Sequence, residues 1–504
     1  MGELLLGIDI GTSSAKGVLT RPDGAVVASA TRAHRPSMPR PGWVEHDAER
    51  DWWQAVTALS RQLLARADGP PAAVCISGIG PCVLATDADF RPLRPAILYG
   101  VDTRASAEVR ELTEHLGERE IVAAAGSVLT SQSAGPKLLW LHRYEPDVWE
   151  RTARVSTASS FAVARLTGEY VLDHHSASQY QPMYDLHGQR WNEEWSAVVA
   201  PGLALPRLAW PGDVVGHTTR AAAAETGIPE GTPVAAGTVD AWAEALSVGV
   251  QRPGDTMVMY GTTMFLVQML PALVTDPRVW ATRGLAEGSA CLAGGMASSG
   301  AITDWLRRLS GEDGFDDLVA EAGRTAPGAH GLVMLPYFAG ERTPLFDPDA
   351  RGAVLGLTLR HTRAHLYRAA LEATGYAVRH HLEVFAQAGA PPQRLVAVGG
   401  GTRGGLWTQI VSDITGCPQE LPEQTIGASY GDALLAARAV GLARSDADWT
   451  RRAEVVQPRT TAAPGYDALY RIYRDAYPAT RELMHALATI QRGDDHLAPV
   501  ETFS

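Results

Sequence analysis

The sequence predicts an α/β protein of two domains, on three observations. Short apolar runs with strand character alternate with longer segments of helical spacing. A strand, a Gly-rich turn carrying hydroxyl residues and a second strand occur together twice, once in each half. The chain has 504 residues, more than one hydrophobic core organises.

Taken in order, Leu4 to Ile10 reads as a strand, Gly11-Thr12-Ser13-Ser14 as a turn and Ala15 to Thr20 as the next strand. Arg21-Pro22-Asp23-Gly24 is a turn of the Asp-Gly kind, and Ala25 to Ala30 closes a β-meander. Ala48 to Ala67 reads as a helix with Trp52, Val56, Leu59 and Leu63 on one face. Ala73 to Ile79 and Pro233 to Ala236 are strands, and Ala241 to Ser247 begins a helix. The second half repeats the opening: Asp255 to Tyr260, the turn Gly261-Thr262-Thr263, then Met264 to Met269. His365 to Ala386 is a long helix, Leu395 to Val398 a strand and Gly405 to Thr415 a helix. The polar turn Gly249 to Gly254 marks the boundary, so the expected division is 1–248, 249–490 and a frayed tail, 491–504.

Composition narrows the function classes. An apolar fraction of 45% with 20% charged residues is that of a globular protein. A net charge of −12 argues against nucleic acid as the partner, while a local nest of N–H groups still admits a nucleotide. The four cysteines Cys75, Cys82, Cys291 and Cys417 include no Cys-x-x-Cys pair, so neither a disulfide framework nor a structural zinc site is expected. No apolar run reaches the roughly twenty residues that span a bilayer. The N-terminus has no basic region or cleavage site, so a cytoplasmic protein with no membrane partner is expected.

Three constellations carry chemistry. In Asp9-Ile10-Gly11-Thr12-Ser13-Ser14-Ala15-Lys16 a glycine permits a tight turn whose N–H groups and hydroxyls suit phosphate oxygens. Asp9 suits Mg²⁺ through water, and Lys16 adds positive charge. An ordinary hairpin turn is the alternative there. In Gly237-Thr238-Val239-Asp240-Ala241-Trp242 a strand delivers an acid to a helix start, where the dipole keeps it ionised. Read locally, Asp240 is an N-cap. Val398-Gly399-Gly400-Gly401-Thr402-Arg403-Gly404-Gly405 lets backbone lie flat against an adenine or ribose, with Ser298-Ser299-Gly300-Ala301 as an opposite wall. It fits neither the dinucleotide fingerprint nor the Walker pattern, and a flexible loop is the competing reading.

In this order the three constellations resemble the FGGY family of carbohydrate kinases, over Gly7 to about Gly441. The long segment Leu335-Pro336-Tyr337-Phe338-Ala339-Gly340-Glu341-Arg342-Thr343-Pro344, followed by Asp347-Pro348, Ala350-Arg351-Gly352 and His365-Leu366-Tyr367-Arg368-Ala369-Ala370-Leu371-Glu372, resembles that of xylulokinases. Gly42-Trp43-Val44-Glu45-His46-Asp47 with Trp52, Pro136-Lys137-Leu138-Leu139-Trp140-Leu141 and Leu166-Thr167-Gly168-Glu169 add to it. The resemblance implies two actin/hexokinase-like (ribonuclease-H-like) domains with nucleotide and substrate in a cleft between them. It implies ATP and Mg²⁺ as cofactors, and Asp240 as the catalytic base rather than a cap. It places phosphate contacts on Gly11, Thr12, Ser13, Gly261 and Thr262, and the adenosine site on Gly300, Asp304, Gly400, Gly401 and Gly404. Asp9 and Asp240 are the metal candidates.

The sugar-gripping residues depart from the family. Where xylulokinases carry Gln-Met-His-Gly and glycerol kinases Arg-Glu, this chain has Ile79-Gly80-Pro81-Cys82. The residue after the catalytic Asp is Ala241, and the Trp-x-Asp-x-Arg turn appears one residue longer, as Tyr99-Gly100-Val101-Asp102-Thr103-Arg104. Loss of polar grips removes the buried hydroxyl recognition from which such sites draw discrimination. A pocket rebuilt around Gly80, Pro81, Asp102, Arg104, Gln179 and Tyr180 is expected. The expected activity is ATP-dependent phosphorylation of a sugar or polyol hydroxyl. The alternative is a catalytically weak sugar- or nucleotide-binding regulator on the same fold. A homodimer is the candidate assembly.

Overall fold

A computed structural model describes residues 3–494. Contacts within the chain define two compact units. The first comprises residues up to Pro253 with Met269–Leu292 and Gln424–Arg451; the second comprises Gly254–Gln268, Ala293–Glu423 and the chain from Arg452. The two units therefore alternate along the chain, with the first passage from one to the other between Pro253 and Gly254.

The first unit is built on β1 (Leu4–Ile10), β2 (Ser14–Thr20), β3 (Val26–Ala33), β4 (Pro71–Gly78), β5 (Val214–His217) and β6 (Pro233–Ala235). Their order in the sheet is β5-β6-β4-β1-β2-β3. β1 runs antiparallel to β2 and parallel to β4, so the expected meander continues into a parallel half. Both faces are covered. Leu4, Leu6, Ile8 and Ile10 enter one core with Trp52, Val56, Leu59, Leu63 and Phe161, while Leu5 enters another with Val18, Cys75 and Leu434. The near-continuous apolar run of β1 is what a strand buried on both faces requires.

The helices of this unit include α1 (Gln54–Leu64), α2 (Ala158–Thr167), α3 (Asp240–Ser247) and, from the returning segment, α4 (Ala428–Ala439). The helix expected over 48–67 opens as a π-helical turn, Ala48–Trp53, and stops at Leu64. Pro70 and Pro71 follow closely, and a residue before proline resists the helical conformation. The four cysteines are free.

A second sheet, most of whose residues belong to the second unit, contains β7 (Asp255–Tyr260), β8 (Met264–Leu270), β9 (Ala290–Met296), β10 (Arg394–Val398), β11 (Gln419–Pro422) and β12 (Arg452–Val456) in the order β9-β8-β7-β10-β11-β12. Again an antiparallel hairpin, β7 with β8, joins a parallel partner, β10. That is the arrangement of β1, β2 and β4 repeated. Helices α5 (Gly300–Leu309), α6 (Arg363–Gln387) and α7 (Leu406–Thr415) belong to this unit. Its last helix, Ala463–Asp494, continues through the first residues of the expected tail; 495–504 lie outside the described residues.

Candidate active site

In the first unit the sheet register assembles a charged centre. Alternation along β1 turns Asp9 to the side of Leu5, toward α4. Lys16 stands directly across the antiparallel ladder from Asp9, and Ser77 lies beside it across the parallel one. Ser77 Oγ donates to Asp432 Oδ2 of α4 at 2.7 Å.

Asp240 arrives from the neighbouring strand. Gly237 has φ +71°, and a Cβ there would lie 1.9 Å from the Ile76 carbonyl oxygen, so only glycine makes this bend. The Gly78 N–H donates to Thr238 O at 3.1 Å and holds the bend against β4. Asp240 is then the first residue of α3; the N-cap position belongs to Val239. The carboxylate accepts the Ala241 N–H at 2.7 Å.

Burial pushes the Asp240 carboxyl up to about 6, while the Ala241 N–H and the Lys16 charge pull it down. Asp9 is held well above the usual carboxylate range, by burial first and then by the charge of Asp240, with Lys16 opposing. Asp9 Oδ1 is buried without a hydrogen-bond partner. Glu244 follows Asp240 by one helical turn, and burial raises it to about 7 with Lys16 again opposing. One lysine thus serves three carboxyls, Asp9 buried and Asp240 and Glu244 half-buried. The centre lacks positive charge and can accept either a cation or a proton.

The Gly11–Ser13 turn begins where β1 ends and closes with Gly11 N–H to Ser14 O at 3.0 Å. Thr12 Oγ1 lies 2.9 Å from Tyr99 Oη. The expected sugar contacts Gly80, Pro81, Gln179 and Tyr180 belong to the first unit. A Cβ on Gly80 would meet Val239 at 2.8 Å, and the next residue, Pro81, follows a cis peptide. Tyr180 donates its hydroxyl to Cys82 O at 3.3 Å. Gln179 Nε2 is 2.9 Å from Nε2 of His175, whose ring lies 3.8 Å from that of Trp242.

Asp102 and Arg104, also expected at the sugar site, pair with each other. Both side chains are fully buried and paired at 2.7 Å. Asp102 also accepts the Val44 N–H at 2.7 Å, and Arg104 pairs with Glu45 at 2.9 Å and lies 4.0 Å from the Trp43 ring. Their polar atoms are engaged mainly with each other, with the Val44 N–H and with Glu45. A polar pair after a strand end reads as a site in sequence, where burial is invisible.

In the second unit the Gly261–Thr263 turn is held by α5. Gly300 N–H donates to Gly261 O at 3.0 Å, and the Ser299 and Ala301 N–H groups both donate to Thr262 O at 3.0 Å. Asp304 is on the same helix, half-exposed and paired with Arg307 at 2.9 Å and Arg308 at 3.2 Å. Gly401 packs on Tyr260, the residue before the turn, while Gly400 and Gly404 have open space where a side chain would be. Ser299 and Gly300 therefore brace the second phosphate-type turn itself, in addition to any wall they form.

Glu244 and Asp432 were missed by sequence reasoning. Glu244 was findable as the i+4 neighbour of Asp240 on one helix face. Asp432 had only the weak signal of a lone acid in a small-residue helix, Ala428–Ala439.

The model of the FGGY carbohydrate kinase N-terminal domain matches residues 4–247, and that of the C-terminal domain residues 256–440. The chain belongs to the FGGY family of carbohydrate kinases. The xylulose kinase of Escherichia coli (strain K12) is 32% identical over 458 residues, covering 87% of this chain and 90% of that one. The gluconokinase of Bacillus subtilis (strain 168) is 28% identical over 459 residues, covering 88% of each. The crystal structure of xylulose kinase from Rhodospirillum rubrum matches with TM-score 0.90 and 35% identity over 96% of this chain and 100% of that one. This FGGY kinase is thus an ATP-dependent phosphotransferase that acts on an alcohol group of a sugar, with the two-domain fold of its relatives. Among the described residues no helix is long and apolar enough to cross a membrane.

Proposed function

We propose that the chain phosphorylates a hydroxyl of a ketose or alditol, in the manner of a xylulokinase, with Asp240 as the base. The observation that carries this reading is the half-buried Asp240 carboxylate, fixed on one side by the Ala241 N–H and left otherwise without a hydrogen-bond partner among the described residues. A carboxyl with its pKa near 6 is ionised at neutral pH yet basic enough to accept a proton as the hydroxyl attacks. The proton passes from the sugar oxygen to Asp240 while the new O–P bond forms and the γ-phosphoryl leaves ADP.

Mg²⁺ fits the same centre. Asp9 has an orphaned buried oxygen, and the charge of Asp240 raises its pKa further with Lys16 opposing. Among the described residues no three ligating side chains cluster closely enough to hold a metal alone. Water and phosphate oxygens would complete its shell, as is usual for this ion. Bound there, it would neutralise phosphoryl charge. The N–H groups of the Gly11–Ser13 and Gly261–Thr263 turns are the proposed phosphate donors, and Gly300, Asp304, Gly400, Gly401 and Gly404 the proposed adenosine contacts.

For the sugar, the support runs toward Gly80, which lies against Val239, with its neighbour Pro81, toward Gln179, which reaches Trp242 of α3 through His175, and toward Tyr180, which binds Cys82 O. Gly80 and Pro81 have no polar side-chain atom and the Tyr180 hydroxyl is spent on Cys82 O, which favours a substrate recognised by shape as much as by hydroxyl pairing. A cytoplasmic homodimer belongs to the same proposal. The test is sugar-stimulated ADP release across ketoses, alditols and aldonates, since relatives of comparable identity are a xylulose kinase and a gluconokinase. Stimulation by ketoses or alditols is expected; stimulation by aldonates alone would overturn the substrate class.

A further inference from the structure

We propose that His46, locked in one tautomer by Trp52, is a positioning residue that aims the Gly11–Ser13 turn at a phosphate. This deepens the reading of that turn as a phosphate site and rests on it.

All three carbonyls of the turn are tied back into the first unit. His34 Nε2 lies 2.9 Å from Gly11 O, His46 Nε2 lies 3.1 Å from Thr12 O, and the His34 backbone N–H donates to Ser13 O at 2.9 Å. The N–H groups of Thr12 and Ser13 have no partner among the described residues. A trans peptide is planar, with its C=O and N–H pointing opposite ways. Holding Gly11 O inward therefore turns the Thr12 N–H outward, and holding Thr12 O inward does the same for the Ser13 N–H. Two aligned, unpaired N–H groups make an anion nest.

The tautomer decides whether His46 can do this. Trp52 Nε1 is a donor only, and it lies 3.0 Å from His46 Nδ1. His46 Nδ1 must then carry the lone pair and Nε2 the hydrogen, which is the form that donates to Thr12 O. The other tautomer would set N–H against N–H at Trp52 and lone pair against lone pair at Thr12. Both His46 and Trp52 are fully buried, and His46 is flanked edge-on by the His34 ring at 5.0 Å. The strand carrying His46 is itself clamped. Glu45 pairs with Arg94 and Arg104, and Glu45–His46 pairs with Ala96–Ile97. The buried Asp102–Arg104 pair is thus the anchor of the strand that sets the turn. The second unit meets the same need with the helix amides of Ser299, Gly300 and Ala301, where no side chain is involved.

The test uses His46→Gln, His46→Leu and Trp52→Phe in the full-length enzyme. A glutamine amide can donate to Thr12 O and accept from Trp52, reproducing the locked imidazole; leucine can do neither. Calorimetry with a non-hydrolysable ATP analogue and steady-state KM values for ATP and for sugar are the readouts. His46→Leu is expected to weaken the analogue and raise the ATP KM at least about tenfold, with the sugar KM changed less than about twofold. His46→Gln should stay within about threefold of the parent, and Trp52→Phe should fall between. Unchanged analogue affinity in His46→Leu, or equal losses in His46→Gln and His46→Leu, would overturn the inference. Gly11→Ala separates it from the reading on which it rests, because its Cβ would press Ser14 O at 2.8 Å and distort the turn. If Gly11→Ala leaves analogue affinity unchanged, the phosphate reading falls and this inference with it. If Gly11→Ala weakens the analogue and His46→Leu does not, only the positioning role falls.

Discussion

Arg104 and Asp102 form an ion pair with no solvent exposure on either side chain, closed at 2.7 Å through Nη2 and reinforced by Nε at 2.9 and 3.0 Å. Buried pairs of this kind are weak evidence for net stability, but removal of one partner strands the other. Arg104→Met should therefore cost about 3–5 kcal/mol of unfolding free energy, read from urea denaturation. Sugar KM in the folded fraction should stay near the parent value. A large rise in sugar KM at unchanged stability would return these residues to the sugar site.

The pH profile follows from Asp240. Its carboxyl is raised to about 6 by burial, and only the ionised form accepts the substrate proton. kcat/KM for the sugar should be level above that value and fall as pH drops through it. Lys16 lowers this pKa, so Lys16→Met should move the acid limb to higher pH. A limb that stays in place or moves down would remove Lys16 from the electrostatics of the base.

Glu244 makes an opposite statement about stability. Its folded pKa, about 7, lies above the ordinary 4.5 because burial disfavours the charge. Its contribution is therefore intact below about pH 4.5 and lost as pH rises through about 7. Glu244→Gln removes that loss and should stabilise the protein at pH 8 by about 1–3 kcal/mol, with no gain at pH 5. Urea midpoints at the two pH values decide it.

Gly237→Ala should be severe. The residue would need φ near +71° with its Cβ 1.9 Å from a carbonyl oxygen of β4, so the bend carrying Asp240 must shift. A loss of at least about 2 kcal/mol in stability is expected, with turnover falling further than stability alone explains. Parent-like turnover would mean that the bend does not position the base.

Much of this was legible in the chain. The strands at Leu4–Ile10 and Asp255–Tyr260 were readable to the residue, because apolar runs ended by Gly-Thr turns leave little choice of boundary. The helix placing Asp240 was readable too. What escaped was non-local. Nothing near Asp432 announces that its helix returns to cover β1, and nothing near Asp102 announces its buried pairing with Arg104. The Trp43 to Asp47 segment was visible as a family motif, yet its work on Thr12 O required the folded geometry.

The account stands most directly on Asp240→Asn, assayed for sugar-stimulated ADP release beside binding of a non-hydrolysable ATP analogue. The amide keeps the shape and the Ala241 hydrogen bond but cannot accept the substrate proton. The expected result is a fall in kcat of at least about a hundredfold with analogue affinity within about threefold of the parent. An Asp240→Asn enzyme that turns over at the parent rate would contradict it.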